Sequence, residues 1–138
     1  MGDSIMHRGG CHCKRVRWQV LAPSNVIVWD CNCSNCAMRR NRHFIVPASD
    51  FKLEEGSEHW LTTYTFGTKQ AQHIFCKVCG ITSYYIPRSN PDGVAVTVGC
   101  IDPGTIDIAE IREFDGQNWE NFYGSSGIAE FSKSEDDK

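Results

Sequence analysis

The apolar positions between residues 16 and 98 fall in short runs, rich in β-branched and aromatic side chains and separated by Gly, Pro, Ser and Asn, a pattern that predicts strands. Residues 16–21 and 26–29 predict two of them, and Ala22-Pro23-Ser24-Asn25 reads as the turn of a hairpin between them. Residues 43–46, 60–66, 71–75, 82–86 and 94–98 continue the series, the last being β-branched at every position except Ala95. Gly67-Thr68 and Ser89-Asn90-Pro91-Asp92-Gly93 supply breaks. One short helix is predicted over residues 34–40, with Ser34 as N-cap and Asn41 ending it, and a further short turn around Trp119. From Ser125 the residues are mostly small and polar. The expectation is a single mainly β domain over residues 1–124, followed by a flexible polar tail over 125–138.

A chain of 138 residues and 15.6 kDa, 41% hydrophobic, suits one domain with a modest core that bound metal could reinforce. The net charge of −3 and pI near 5.9 argue against a nucleic-acid partner, because that affinity rests on Lys and Arg neutralising phosphates. Residues 1–10 lack the apolar stretch of a secretory leader, and no run approaches the ~18 apolar residues of a membrane span. A cytoplasmic location without a membrane partner is expected, with the nucleus as a second compartment.

Eight cysteines in a chain without a secretory leader call for an explanation other than disulfides, because the cytosol keeps thiols reduced. Cys11-His12-Cys13 and Cys76-Lys77-Val78-Cys79-Gly80 are two paired-thiol units, and two such pairs can close a four-coordinate zinc site. Gly80 supplies the tight turn after the second pair. Cys31-Asn32-Cys33-Ser34-Asn35-Cys36 offers three ligands within one short run. Three protein ligands with an open fourth position is the pattern of catalytic zinc, unless Cys100, His43, His12 or His73 closes the site. An iron–sulfur cluster fits the C-x-C spacing less well.

Around the open site, Arg39, Arg40 and Arg42 stand as candidates to hold an anionic ligand's carboxylates. His43 is a candidate general acid/base, set against the alternative of a strand histidine bonded to backbone. His12 is read as orienting the four-cysteine loop, His73 as a surface strand residue, and Cys100 as a buried thiol that is not a ligand. Trp18, Trp29, Phe44, Phe66, Phe75 and Tyr84 are read as core.

Four motifs occur in order: Gly9-Gly10-Cys11-His12-Cys13, the Cys31, Cys33, Cys36 run, Phe75-Cys76-x2-Cys79-Gly80, and Gly99-Cys100-Ile101-Asp102. Together they resemble the glutathione-dependent formaldehyde-activating enzyme family. The run from Asn41 through Ser49 and the stretch 84–93 look closest to its branch containing centromere protein V. The resemblance implies a β-tent fold and two zinc ions per chain. It implies a structural zinc on Cys11, Cys13, Cys76 and Cys79 and a catalytic-type zinc on Cys31, Cys33 and Cys36. It also implies glutathione as cosubstrate in carbon–sulfur lyase chemistry that forms or breaks S-hydroxymethylglutathione. The alternatives are a noncatalytic zinc module that binds a partner, as the centromere protein V branch suggests, and a thiol redox sensor.

Overall fold

In the computed structural model, which describes residues 4–133, the chain opens with β1 (Ser4–Gly10) and doubles back as β2 (Arg17–Pro23). The two pair antiparallel from Ser4 opposite Pro23 to Gly10 opposite Arg17, and β5 (Phe51–Leu53) pairs with the far edge of β2. A five-stranded sheet is built from β3 (Asn25–Cys31), β4 (Arg42–Pro47), β8 (Tyr84–Tyr85), β9 (Gly93–Thr97) and β10 (Asp107–Phe114), in the order β10-β3-β4-β9-β8. In it β10 lies parallel to β3, and the other pairings are antiparallel. A separate two-stranded ribbon joins β6 (Leu61–Tyr64) to β7 (His73–Cys76).

The fold is mainly β, as expected, but the hairpin expected across residues 22–25 does not form. The chain does break there, yet β2 is flanked by β1 and β5 while β3 is flanked by β10 and β4, so the two strands belong to different sheets. Turn residues mark where a strand stops, and sheet packing decides its neighbours. Three strands were not anticipated: β1, the three-residue β5, and β10. β1 and β10 are largely exposed edge strands whose polar, charged sequences lack a clean alternation.

Both faces of the five-stranded sheet are covered, which explains why β4 and β9 are apolar at successive positions. On one face Val28, Phe44, Val46, Tyr84 and Val96 pack against Trp18 and Val20 of the three-stranded sheet. On the other, Trp29, Ile45, Tyr85, Ala95 and Phe114 pack against Trp119, Phe122, Tyr123, Ile128 and Phe131. Each fully buried side chain of this kind contributes roughly 1.5–3 kcal/mol.

The second face is therefore closed by the C-terminal segment. A helix, α2 (Trp119–Ser126), ends at Gly127 in the left-handed region (φ 75°) and leads into a 3-10 turn, Ile128–Ser132. Asn90, fully buried in the turn before β9, donates from Nδ2 to the Ile128 carbonyl (2.9 Å) and to Ser132 Oγ (2.8 Å). Through residue 133 the segment expected to be a loose tail is thus packed and hydrogen-bonded. Its abundance of Ser, Gly and Glu hides two apolar anchors and a buried serine. The remainder of that expected tail lies outside the described residues.

Candidate functional site

Cys11 follows β1, Cys13 lies in the turn before β2, Cys76 ends β7, and Cys79 sits in the turn after it. Their four Sγ atoms all lie within 4.8 Å of one another, with Cys11 to Cys13 at 3.6 Å and Cys13 to Cys76 at 3.7 Å. A tetrahedron of sulfurs about 2.3 Å from a central ion has edges of about 3.8 Å, so donor set and spacing fit a four-coordinate divalent metal. Backbone N–H groups of Val16, Val78 and Cys79 point at these sulfurs from 3.4 Å, Val16 at Cys11 and the other two at Cys76. Gly80 takes φ 77° and Lys14 φ 68°, the left-handed residues that wrap each loop round its sulfurs. The backbone N–H of Arg15, with the Arg15 side chain, holds the Cys13 thiol down at about 6, whereas burial pushes Cys11 up to about 11. None of the eight cysteines is in a disulfide.

The Gly99-Cys100-Ile101-Asp102 motif braces this end of the molecule. Arg17 donates bidentately to Asp102, 2.5 Å from Nη2 and 3.2 Å from Nη1, and Ile101 bridges to Gly9. A Cβ on Gly9 would lie 2.3 Å from the Cys100 carbonyl oxygen, so a glycine is required for that approach. Cys100 belongs to neither sulfur group, and burial pushes its thiol up to about 11.

The second group forms where β3 meets α1 (Ser34–Arg39). Cys31 ends the strand, and Cys36 points inward from the helix. Cys33, not Ser34, is the N-cap: its sulfur accepts from the Cys36 N–H at 3.3 Å, and Arg40 in the left-handed region (φ 52°) ends the helix one residue before the expected Asn41. The three sulfurs lie within 4.8 Å of one another, and among the described residues no fourth His, Cys, Asp or Glu donor joins them. Hydrogen bonds from Cys31 and Cys36 hold Cys33 far below the usual thiol range, while contacts with Cys31 and Cys33 keep Cys36 far above it. Ionising one of three thiols this close raises the cost of ionising the others unless a cation is present, and the donor set suits a metal ion.

These sulfurs lie on the wall of a cavity of about 240 Å³, which His43, Phe66, His73, Tyr85, Phe114 and Trp119 also line. Tyr85 Oη is 3.7 Å from Cys36 Sγ and 3.2 Å from His43 Nε2, so it bridges the cysteine group to the histidine. Burial pushes His43 down to about 4, leaving a neutral imidazole at neutral pH, and pushes the Tyr85 hydroxyl well up. His73, expected at the surface, is buried and stacks between Tyr85 (5.2 Å) and Phe66 (5.3 Å). Phe66, expected in the core, is exposed and lines the cavity from the loop before β7.

The structure does not bring the three candidate arginines to this cavity. Arg39 donates from Nε to Asn35 (2.8 Å) and to Thr82, and lies over the Phe75 ring. Arg40 is exposed at the helix end, and Arg42 pairs with Asp30 at 3.3 Å. His12 is exposed beside the four-cysteine group. Sequence reasoning missed Arg88, which lines the cavity, and Gly116, whose Cβ would fall 2.8 Å from Cys31 Sγ. Neither carries a local spacing signal. Each reaches the site through the packing of β8, β10 and α2.

A crystal structure of a Rhodobacter sphaeroides protein aligns with 76% of this chain and 99% of its own, at 31% identity and a TM-score of 0.63. The sequence profile of the glutathione-dependent formaldehyde-activating enzymes matches residues 6–115, a span that holds both sulfur groups and ends one residue before Gly116. The chain belongs to the glutathione-dependent formaldehyde-activating enzyme family.

Proposed function

We propose that this chain is a zinc-dependent carbon–sulfur lyase that forms or breaks the hydroxymethyl adduct of a thiol, with glutathione as the thiol. The observation that carries the reading is the meeting of three sulfurs, without a fourth donor among the described residues, on the wall of a cavity. The family's description supports formaldehyde and glutathione as the reacting pair. Soft thiolate donors in both groups, at tetrahedral spacing in the four-cysteine one, support zinc. A zinc ion held by Cys31, Cys33 and Cys36 supplies Lewis acidity for an aldehyde oxygen or lowers the pKa of a thiol.

In the forward direction the thiol sulfur bonds to the aldehyde carbon, the C=O π pair moves to oxygen, and the thiol proton ends on that oxygen. No oxidant or reductant is needed. Aromatic side chains line the cavity, and Tyr85 Oη is placed to donate towards Cys36 Sγ while accepting from a ring N–H of neutral His43. His43 then acts through Tyr85 and fixes the direction of its hydroxyl.

Measuring S-hydroxymethylglutathione formation against the uncatalysed rate tests the reading. The zinc-loaded protein is expected to exceed the spontaneous rate and Cys33→Ser to fall to it. A zinc-loaded wild type with no excess rate, yet with saturable binding to a macromolecular partner, would favour a noncatalytic module.

A further inference from the structure

We infer that Arg88 is the specificity-determining residue of the cavity, anchoring the carboxylate of a thiol substrate whose sulfur end reaches Cys31, Cys33 and Cys36. The inference rests on the thiol-adduct reading above and narrows its substrate class to thiols that carry a carboxylate.

β8 ends at Tyr85, Ile86 bridges to Gln72, and Pro87, which has no N–H to pair, leads to Arg88 at the cavity wall. Three contacts from two segments, α2 and the loop before β7, then hold its side chain. The guanidinium carbon lies 3.7 Å from the centroid of the Trp119 ring, Nε donates to Gln70 Oε1 at 2.9 Å, and Nη2 donates to Glu120 Oε1. A stacked, hydrogen-bonded guanidinium has already lost most of its rotamer freedom, so little ordering cost remains when a ligand arrives.

Its remaining donors are available. Among the described residues Nη1 takes no hydrogen-bond partner, and the Arg88 side chain is 25% exposed. Glu120 holds one N–H from a side chain that is 77% exposed, a water-facing carboxylate that a ligand can supplement or displace.

The rest of the wall strengthens the case. Among its described residues Arg88 is the one Lys, Arg, Asp or Glu; the others are sulfur, aromatic, aliphatic or small neutral side chains and two buried histidines. Buried Cys36, His43 and Tyr85 mark the inner end, and partly exposed Arg88 marks the end that meets solvent. Three thiolates on a divalent ion leave the inner end net negative. An anionic ligand therefore turns its sulfur inward and its carboxylate outward, where the guanidinium offers a charge-assisted and partly desolvated contact.

The test uses unreactive thioethers, so binding is read apart from turnover. The zinc-loaded full chain is titrated calorimetrically with 3-(methylthio)propanoate, its neutral amide, and S-methylglutathione. Both acids are expected to bind at least tenfold more tightly than the amide, with the difference lost in Arg88→Met and partly kept in Arg88→Lys. Equal affinity for acid and amide in the wild type, or no binding of any of the three, overturns the proposal, and this comparison needs no variant to fold. In turnover, Arg88→Met is expected to raise KM for carboxylate thiols by a larger factor than for 2-mercaptoethanol. Acid-selective binding without turnover removes the lyase reading and leaves the anchor standing. Turnover without acid preference does the reverse.

Discussion

Gly116 has no side chain because there is no room for one. A Cβ there would sit 2.7 Å from Cys33 Cβ and 2.9 Å from Cys33 N, as well as against Cys31 Sγ. Gly116→Ala is expected to push the three sulfurs out of register at a cost of about 1–3 kcal/mol. Metal analysis should then show loss at this group alone, with the four-cysteine site still loaded. Tyr85 makes a different kind of contribution, since its hydroxyl joins Cys36 to His43 in a water-poor place. Tyr85→Phe keeps the ring stacked on His73 and removes only that bridge. The expected result is a lower kcat with zinc content unchanged and a stability loss of about 1 kcal/mol, read by steady-state kinetics and denaturant titration. An unchanged kcat would make the hydroxyl a structural group only.

Among the elements, the C-terminal segment is the one whose importance the sequence conceals. Ile128 and Phe131 complete the apolar layer over Trp29 and Ile45, and Asn90 clamps the segment to the turn before β9. Asn90→Ala leaves the buried Ile128 carbonyl and Ser132 hydroxyl without their amide partner, a loss of about 2–3 kcal/mol expected in urea unfolding. A change below about 0.5 kcal/mol would contradict the clamp. The cysteine groups, by contrast, were legible because ligand spacing is local: Cys11-x-Cys13, Cys31-x-Cys33-x2-Cys36 and Cys76-x2-Cys79 each fall within a single turn or strand end. The cavity was not legible, because its wall is assembled from loop 65–72, β8, the end of β10 and α2. The parallel pairing of β10 with β3 brings Gly116 to Cys31, and nothing in either strand announces that partner. Phe66 and His73 were misassigned because strand periodicity cannot tell a ring against the core from a ring against a cavity.

Across the whole molecule the proposed function gives the two sulfur groups different tasks, architecture for the four-cysteine group and chemistry for the three-cysteine one. The four-cysteine group ties β1 to β7, joining two sheets that share no strand pairing. The three-cysteine group opens on a cavity, and no helix of the described chain is long and apolar enough to cross a membrane. Native mass spectrometry of the zinc-loaded chain, with and without S-methylglutathione, tests this division most directly. Wild type is expected to carry two zinc ions and to take up one thioether. A Cys31→Ser, Cys33→Ser, Cys36→Ser variant is expected to stay folded with one zinc ion and to take up none. Two zinc ions in that variant, or thioether uptake that survives it, would contradict the assignment of the open site to these three cysteines.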